Sequence, residues 1–431
     1  MKKTWIPCKI QDLIAKDEAD LKTGPFGTQL HASDYVEAGT PVINVRNIGF
    51  GNIREDNLEF IAEETVQRLH SHLLEAGDIV FGRKGAVERH AFIKQKHARW
   101  FQGSDCLRLR IKTPRIMPQF LSYYFQTQHH KQWMIQQCSH GSTMASLNQD
   151  IISRISFLLP PIPTQRKIVS ILSAYNNLIE NNTRRIAILE EMAQVIYQEW
   201  FVNFRYPGYE KDKLVESELG RIPEGWTVEK LGSALTLQRG FDLPTKQRQE
   251  GNIPVYASTG PVGTHNQAKV KGPGVLTGRS GSLGTVTYVK EDFWPLNTTL
   301  WVKNFQTVTP IYAFYLLKTI DFNTLNSGAA VPTLDRNNVH KQLIVLPPYE
   351  LIKQFDMHIS VMFELKLNLE KKNENLRRTR DLLLPKLISG EIDVETLDID
   401  IPETREPEEQ REMPIMAQPE PIDANQLVLP L

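Results

Sequence analysis

Apolar residues recur every seven positions in two widely separated stretches of the chain. In the first, Ile168, Tyr175, Asn182, Leu189 and Ile196 share one heptad position. Ile171, Leu178, Arg185, Met192 and Glu199 follow three residues later, and their neighbours Leu172, Ile179, Ile186, Ala193 and Trp200 are the apolar partners. In the second, Phe355, Met362, Leu369, Leu376 and Leu383 repeat, with Ile359 and Leu387 on the companion position. Sevens sustained over about four or five heptads predict long helices joined along an apolar seam. Asn182, Lys366, Asn373 and Arg380 interrupt it, and such polar insertions fix register at some loss of stability. Pro163 and Thr164 predict the first helix start, with Thr164 as N-cap, and Tyr206-Pro207-Gly208 predicts its end. A helix from Thr164 to Trp200 would be about 55 Å long, well beyond the usual about 11–12 residues of a globular helix. Two such rods pair most economically antiparallel, which would hold what they carry at opposite ends.

Each rod follows the same punctuation. Gly141–Pro161 aligns without a gap onto Gly328–Pro348 at an offset of 187, matching Leu147 with Leu334 and Leu159-Pro160-Pro161 with Leu346-Pro347-Pro348. Arg154 and Lys341 form a basic pair at this offset, which continues into the helices as Ile168/Phe355, Leu189/Leu376 and Ile196/Leu383. Upstream, Gly82–Gly85 answers Gly278–Gly281 at offset 196, Thr40–Ile43 answers Ile253–Tyr256 at 213, and Trp5 with Lys9 answers Trp226 with Lys230 at 221. The offset shrinks from 221 to 187, so the first copy carries 34 extra residues, all before Gly141. A fixed-offset repeat means two copies of one module, with a constant rear and a diverged front.

The fronts read as β-rich. Short β-branched or alternating runs at Pro41–Val45, Asp78–Phe81 and Cys106–Ile111 are bounded by Gly, Pro and Asn. One helix is predicted at Pro118–Gln128 through Phe120, Leu121, Tyr124 and Phe125, and its counterpart at Pro310–Thr319 through Ala313, Phe314, Leu316 and Leu317. The expected class is α+β: two β-rich domains separated by two long helices in an antiparallel coiled coil, with a pseudo-two-fold internal repeat. The expected domains are a first head at 1–161, a spacer helix at 162–206, a linker and second head at 207–348, a second spacer helix at 349–394, and a tail at 395–431. Within that tail, Pro402–Leu431 is acidic, proline-rich and poor in aromatics, and reads as disordered, with Leu427–Leu431 a candidate interaction segment.

Charge changes the picture once it is divided along the chain. The formal net charge is zero, yet from Glu391 onward twelve acidic residues face only Arg405 and Arg411. The tail thus holds about ten negative charges and Met1–Gly390 an equal positive excess, compatible with a nucleic-acid partner. No stretch reaches the about 18 consecutive apolar residues of a membrane span, and the start has no apolar secretory core. Cys8, Cys106 and Cys138 lack metal-ligand spacing and fit a reducing cytoplasm.

Catalytic patterns are missing. Leu346-Pro347-Pro348-Tyr349 lacks the leading amide or carboxylate by which a methyltransferase motif would hold the target amino group, and its twin at Leu159–Ile162 marks it as helix punctuation. Gly278–Thr285 has the wrong spacing for a phosphate loop and no lysine before its threonine. No nucleophile elbow, His-Glu-x-x-His or paired-cysteine zinc pattern occurs. The Gly-Arg-x-Gly turns are the leading binding candidates: Gly82, Arg83, Lys84 and Gly85 in one copy, and Arg279, Ser280 and Gly281 after Gly278 in the other. Glycine lets the backbone approach a surface, and the arginine fork fits phosphate or the O6/N7 edge of guanine. Gly27, Thr28 and Gln29 within Pro25–Leu30, with Arg46 and Asn47, form a second set; Gln238, Arg239, Ser258 and Thr259 are candidates in the second copy. Ser142 and Thr143 read as capping or turn residues.

Together these residues resemble the specificity subunit of a Type I restriction–modification enzyme. The resemblance covers Trp5 to Val394. Its most specific pieces are Arg380–Ile392 (Arg-Asp-Leu-Leu-Leu-Pro-Lys-Leu-Ile-Ser-Gly-Glu-Ile), Leu-Pro-Pro before each rod, and Gly24–Leu30 followed by Ser33-Asp34-Tyr35. The Glu-Gln that the family often carries after each Pro-Pro is reduced to Gln165 after Thr164 in the first copy and is Leu351-Ile352 in the second. The resemblance implies two target-recognition domains, each reading one half of an asymmetric bipartite site on double-stranded DNA. It further implies rods that act as a ruler and dock two methylation subunits, with restriction subunits joining the full complex in a prokaryotic cytoplasm. No cofactor is expected on this chain; S-adenosylmethionine, ATP and Mg belong to the partners. A non-catalytic oligomerising scaffold, with protein-binding rods and heads for a ligand other than DNA, is the second reading.

Overall fold

A computed structural model describes residues 5–25, 29–138, 145–328 and 330–399. These residues divide into two compact units, one from 5–181 with 372–399 and one from 182–371. The acidic segment from Asp400 onward lies outside the described residues, and with it nearly all of the expected tail.

Unit 1 is built on two four-stranded sheets. The first runs Ala19–Thr23, Cys106–Ile111, Ile79–Gly82, His90–Phe92, all antiparallel. The second runs Tyr35–Val36, Glu59–Ile61, Thr40–Ile43, Phe101–Gln102, with its last pair parallel. Alternation explains the central strand Cys106–Ile111. Leu107 and Leu109 enter the core, while Arg108 and Arg110 point the other way to Asp20 and to Asp78, Arg110 forking onto both Asp78 oxygens at 2.7 Å. Asp78 is buried, so this two-point pairing replaces the water it has lost. A further antiparallel pair, Ile6–Lys9 with Ser156–Leu159, ties the start of the unit to the strand before the first rod.

Unit 2 repeats the plan. Leu235–Arg239, Thr299–Phe305, Gly274–Gly278 and Val286–Val289 form the first sheet in the same order. Ile253–Ala257 again pairs parallel with a two-residue strand, Trp294–Pro295, and Thr227–Lys230 again pairs with the strand before the rod, Leu343–Leu346. Gly260–His265 pairs with Ile253–Ala257 as Glu59–Ile61 pairs with Thr40–Ile43, and this sheet has three strands among the described residues, with no counterpart of Tyr35–Val36. An extra hairpin, Leu214–Ser217 with Gly220–Pro223, follows the first rod.

The rods are helices Ile162–Tyr197 and Tyr349–Ile388, 36 and 40 residues long. Within unit 1 they pair antiparallel: Asn176 accepts from Arg380 at 2.9 Å, and the Ile179 carbonyl accepts from Asn373. There Ile168 and Leu172 join Leu384, Leu387 and Ile388 around Trp5. Within unit 2 they pair antiparallel as well, with Glu190 on Lys366 and Tyr197, Trp200 and Phe201 around Phe355. Lys366, Asn373 and Arg380 have partners on the facing rod, and Asn182 is buried.

Several local expectations need correction. The first rod begins at Ile162, two residues before Thr164, so Thr164 is a buried first-turn residue and not the cap. It ends in a π-helical turn, Gln198–Val202. Of the two adjacent rows on the first rod, the expected apolar partners Leu172, Ala193 and Trp200 are buried, whereas Leu178 and Met192 of the other row are exposed. The helix at Pro118 stops at Phe125 and a second, Gln128–Cys138, follows it. That helix buries only His130, Met134 and Cys138, a stripe too narrow to stand out among its glutamines and histidines. Cys106–Ile111 and Pro310–Lys318 form at the expected places.

Candidate nucleic-acid interface

The Gly-Arg-x-Gly turns occupy matching nodes of the two units. In unit 1, Arg83 N–H donates to the Asp105 carbonyl at 2.8 Å, and Leu147 N–H donates to the Arg83 carbonyl at 2.8 Å. In unit 2, Arg279 N–H donates to the Thr298 carbonyl at 2.8 Å, and Leu334 N–H donates to the Arg279 carbonyl at 2.9 Å. Lys84 bridges Ser146 as Ser280 bridges Thr333. Gly85 and Gly281 close the turns at φ +79° and +84°, a region that disfavours any side chain.

The loops before and after each turn converge on it in the same way. Gly24 N–H donates to the Cys106 carbonyl at 2.9 Å, and Gly240 N–H to the Thr299 carbonyl at 3.1 Å. A Cβ on Gly24 would collide with the Gly103 carbonyl, and one on Gly240 with the Leu296 carbonyl. Gly103 N–H reaches the Ile43 carbonyl at 3.0 Å, and Leu296 N–H reaches the Tyr256 carbonyl at 2.8 Å. Five loops thus meet in unit 1, around Gly24, Asn44–Arg46, Gly82–Gly85, Gly103–Asp105 and Ala145–Leu147. Their counterparts in unit 2 lie around Gly240, Ser258, Gly278–Gly281, Leu296–Thr298 and Asn326–Leu334.

Their side chains differ. In unit 1, Arg46 pairs with Glu59 at 2.8 Å, Asn44 donates to the same carboxylate at 2.6 Å, and Lys84 pairs with Asp105 at 3.2 Å. Arg83 is half-buried, and its Nε has no hydrogen-bond partner among the described residues. Asn47 is fully buried; its side-chain oxygen accepts from Asn44 N–H, and its amide donates to the Arg54 and Asp56 carbonyls at 3.1 Å. It shapes the loop from inside and does not face outward. Gly82 is likewise buried at a strand end. Gln29 is exposed, its carbonyl held by Arg68 at 2.6 Å. Gly27 and Thr28 lie outside the described residues, as do Ser142 and Thr143.

In unit 2, Arg239 and Thr259 are exposed, and Gln238, Arg279 and Ser280 are half-buried. Neither arginine has an ion pair among the described residues. Ser258 is buried, with its N–H on the Thr298 hydroxyl at 3.2 Å. Asn297 donates to Asp242 in the loop after Gly240. Glu59, Asp105, Asn44, Asp242 and Asn297 carry no motif. Their pairings, Asn44 with Glu59, Asp105 with Lys84 and Asn297 with Asp242, span 15 to 55 residues of sequence, so no local pattern could have signalled them.

Other titratable groups are structural. Burial pushes His90 down to about 3 and Cys106 up to about 12, so both stay neutral in the core at ordinary pH. All three cysteines are buried and free. Among the described residues, no group of three or more His, Cys, Asp or Glu side chains could hold a metal ion, and no helix is long and apolar enough to cross a membrane.

The specificity subunit of the type I restriction enzyme MjaIX from Methanocaldococcus jannaschii is 25% identical over 309 residues, covering 65% of this chain and 71% of its own. A second specificity-subunit sequence from the same organism is 24% identical over 387 residues, covering 83% of this chain and 88% of its own. The crystal structure of a Type I restriction–modification S subunit from M. genitalium superposes with a TM-score of 0.58 at 16% identity, covering 90% of this chain and 97% of that one, and shares the fold. The family model for the Type I restriction modification DNA specificity domain matches residues 8–191 and again 223–376. Those two stretches span well over half of the 431 residues, so the chain belongs to the Type I restriction–modification DNA specificity family, as the non-catalytic specificity subunit.

Proposed function

We propose that this subunit reads an asymmetric, bipartite site on double-stranded DNA, one half through each set of converging loops. The observation that carries the reading is the repetition of one hydrogen-bonded loop frame with different side chains on it. An equal frame supports equal placement of two readers, and unequal side chains support unequal half-sequences. The target-recognition domains are assigned to 1–161 and to the folded part of 207–348, with 162–206 and 349–394 as the spacer helices. Arg83 and Arg279 are the candidate base-reading forks, since bidentate arginine matches guanine O6 and N7. Lys84, Gly85, Ser280 and Gly281 accompany them on the turns; Gly27, Thr28, Gln29, Arg46, Arg239, Ser258 and Thr259 are the flanking set. Asn47 and Gly82 take positioning roles behind them.

In the same reading, the paired helices dock two methylation subunits, restriction subunits complete the assembly, and the complex works in the cytoplasm. S-adenosylmethionine, ATP and Mg are used by those partners and not by this chain. The test is a swap of residues 1–161 for the matching head of another family member, in complex with the methylation subunits. Methylated positions are then mapped across genomic DNA. One half-site should change while the other half and the spacing persist; a change in both halves, or in neither, would overturn the assignment.

A further inference from the structure

We propose that Glu59 and Asp105 are specificity-determining carboxylates of the first reader, which hold Arg46 and Lys84 in ion pairs and keep these cations from binding DNA backbone indiscriminately. The inference rests on the DNA-reading function above and goes beyond it by assigning roles to two residues of the wrong charge for a DNA-binding surface. Asp105 lies in one of the converging loops of unit 1, and Glu59, first residue of the strand Glu59–Ile61, holds another through Asn44 and Arg46. Asp105 supplies its carbonyl to Arg83 N–H and its carboxylate to Lys84 at 3.2 Å. Glu59 takes Arg46 at 2.8 Å and Asn44 at 2.6 Å. Asn44 adjoins the same node, since a Cβ on Gly103 would collide with its side-chain oxygen.

Structural bracing alone accounts poorly for these pairs. All four side chains are about half exposed, at 49% and 43% for Arg46 and Glu59 and 59% and 48% for Lys84 and Asp105. Exposed ion pairs contribute little to stability, commonly about 0–1 kcal/mol. Their effect on a polyanion is larger. A cation that already has a carboxylate partner must lose it before it can replace a counterion on a phosphate. The carboxylate itself repels phosphate and is matched by base-edge amino groups such as cytosine N4. Unit 2 has no such pairs at the matching positions. Ser280 stands for Lys84, Thr298 for Asp105 and Thr259 for Arg46, while Arg239 and Arg279 have no ion pair among the described residues. The first reader is thereby restrained and the second is not.

The experiment uses the full chain with its methylation subunits and two duplexes, one carrying the site found by methylation mapping and one without it. Binding is measured over a range of salt for the native complex, Glu59→Gln and Asp105→Asn. Each substitution should raise affinity for the non-target duplex by about threefold or more at low salt and steepen the salt dependence by about 0.9 in the log–log slope per freed cation. Preference for the target should fall. Adding Arg46→Gln to Glu59→Gln, or Lys84→Gln to Asp105→Asn, should cancel the gain. Unchanged non-target affinity and slope in folded variants, with only a shift in melting temperature, would overturn the proposal and leave the pairs as braces. If the native complex shows no preference for the mapped site, the DNA-reading function itself falls, and this proposal with it.

Discussion

Unit 1 places Lys84 against Asp105 and Arg46 against Glu59, whereas unit 2 has Ser280, Thr298 and Thr259 at the matching positions. Behind these unlike surfaces the main chain is bonded alike, from Arg83–Asp105 and Leu147–Arg83 in one unit to Arg279–Thr298 and Leu334–Arg279 in the other. Backbone hydrogen bonds do not depend on side-chain identity, so a loop node can be kept while everything it displays is exchanged. The same contrast runs through the rods. Phe355 and Ile359 are fully buried where Ile168 and Leu172 are, yet the neighbour of Phe355 is Asp356 where the neighbour of Ile168 is Val169. At these matched positions the modules therefore diverge in chemistry while the main-chain bonding is kept.

The largest expected effect tests whether the units stand independently. Phe355 packs against the rings of Tyr197, Trp200, Phe201 and Tyr315 at centroid separations of 5.1–6.0 Å. Phe355→Ala should cost about 3–5 kcal/mol, and Ile168→Ala at the matching position about 2–5 kcal/mol. Hydrogen exchange should speed up in unit 2 for the first and in unit 1 for the second. Equal acceleration of both units by either change would break the comparison.

A middle-sized effect tests the matched arginines. Arg83→Gln and Arg279→Gln should each weaken target binding by about 1–3 kcal/mol and relax one base position, each in a different half-site. Competition binding against single-base variants of the mapped site measures this. Relaxation in both halves by one substitution would show that the two nodes do not read separately.

The smallest effect concerns a difference without a twin. Burial raises the Asp356 carboxyl to about 6, partly offset by the Thr309 hydroxyl, and its Oδ1 is buried without a partner. A folded pKa above the unfolded one means that the folded state favours the protonated acid. Its penalty is thus absent below about pH 4, grows as pH rises toward 6, and is complete above that. Asp356→Asn should stabilise the chain at pH 7.5 by about 1–2 kcal/mol, once partial solvent screening of this half-buried group is allowed for. Thermal melts should show the gain vanishing near pH 4; a gain independent of pH would trace it to packing.

Much of the fold was legible because it rests on periodicity. The sevens through Ile168 and Phe355 identified both rods, and the constant offset of 187 identified the repeat before any strand was assigned. What failed had short-range or ambiguous signals. Thr164 looked like a cap because caps are chemical rather than positional signals, and the chain had already turned helical at Ile162. At the interface, the turns at Gly82 and Gly278 were found because glycine spacing is local. Asn47, expected among the binding residues, is buried, and a buried asparagine and an exposed one are spelled alike.

The sequence by itself determined that there are two copies of one module, that each carries a long apolar-seamed helix, and that both hold a Gly-Arg-x-Gly turn. Those properties follow from spacing along one chain, where each contact or turn lies within a few residues. Only the tertiary structure decided which loops surround each turn and which carboxylates hold which cations. Glu59 and Arg46 are thirteen residues apart, and Asp105 and Lys84 twenty-one, and nothing local couples them. Their meeting is set by strand order, through sheets that fold distant segments onto one edge, and strand order is a property of the whole core.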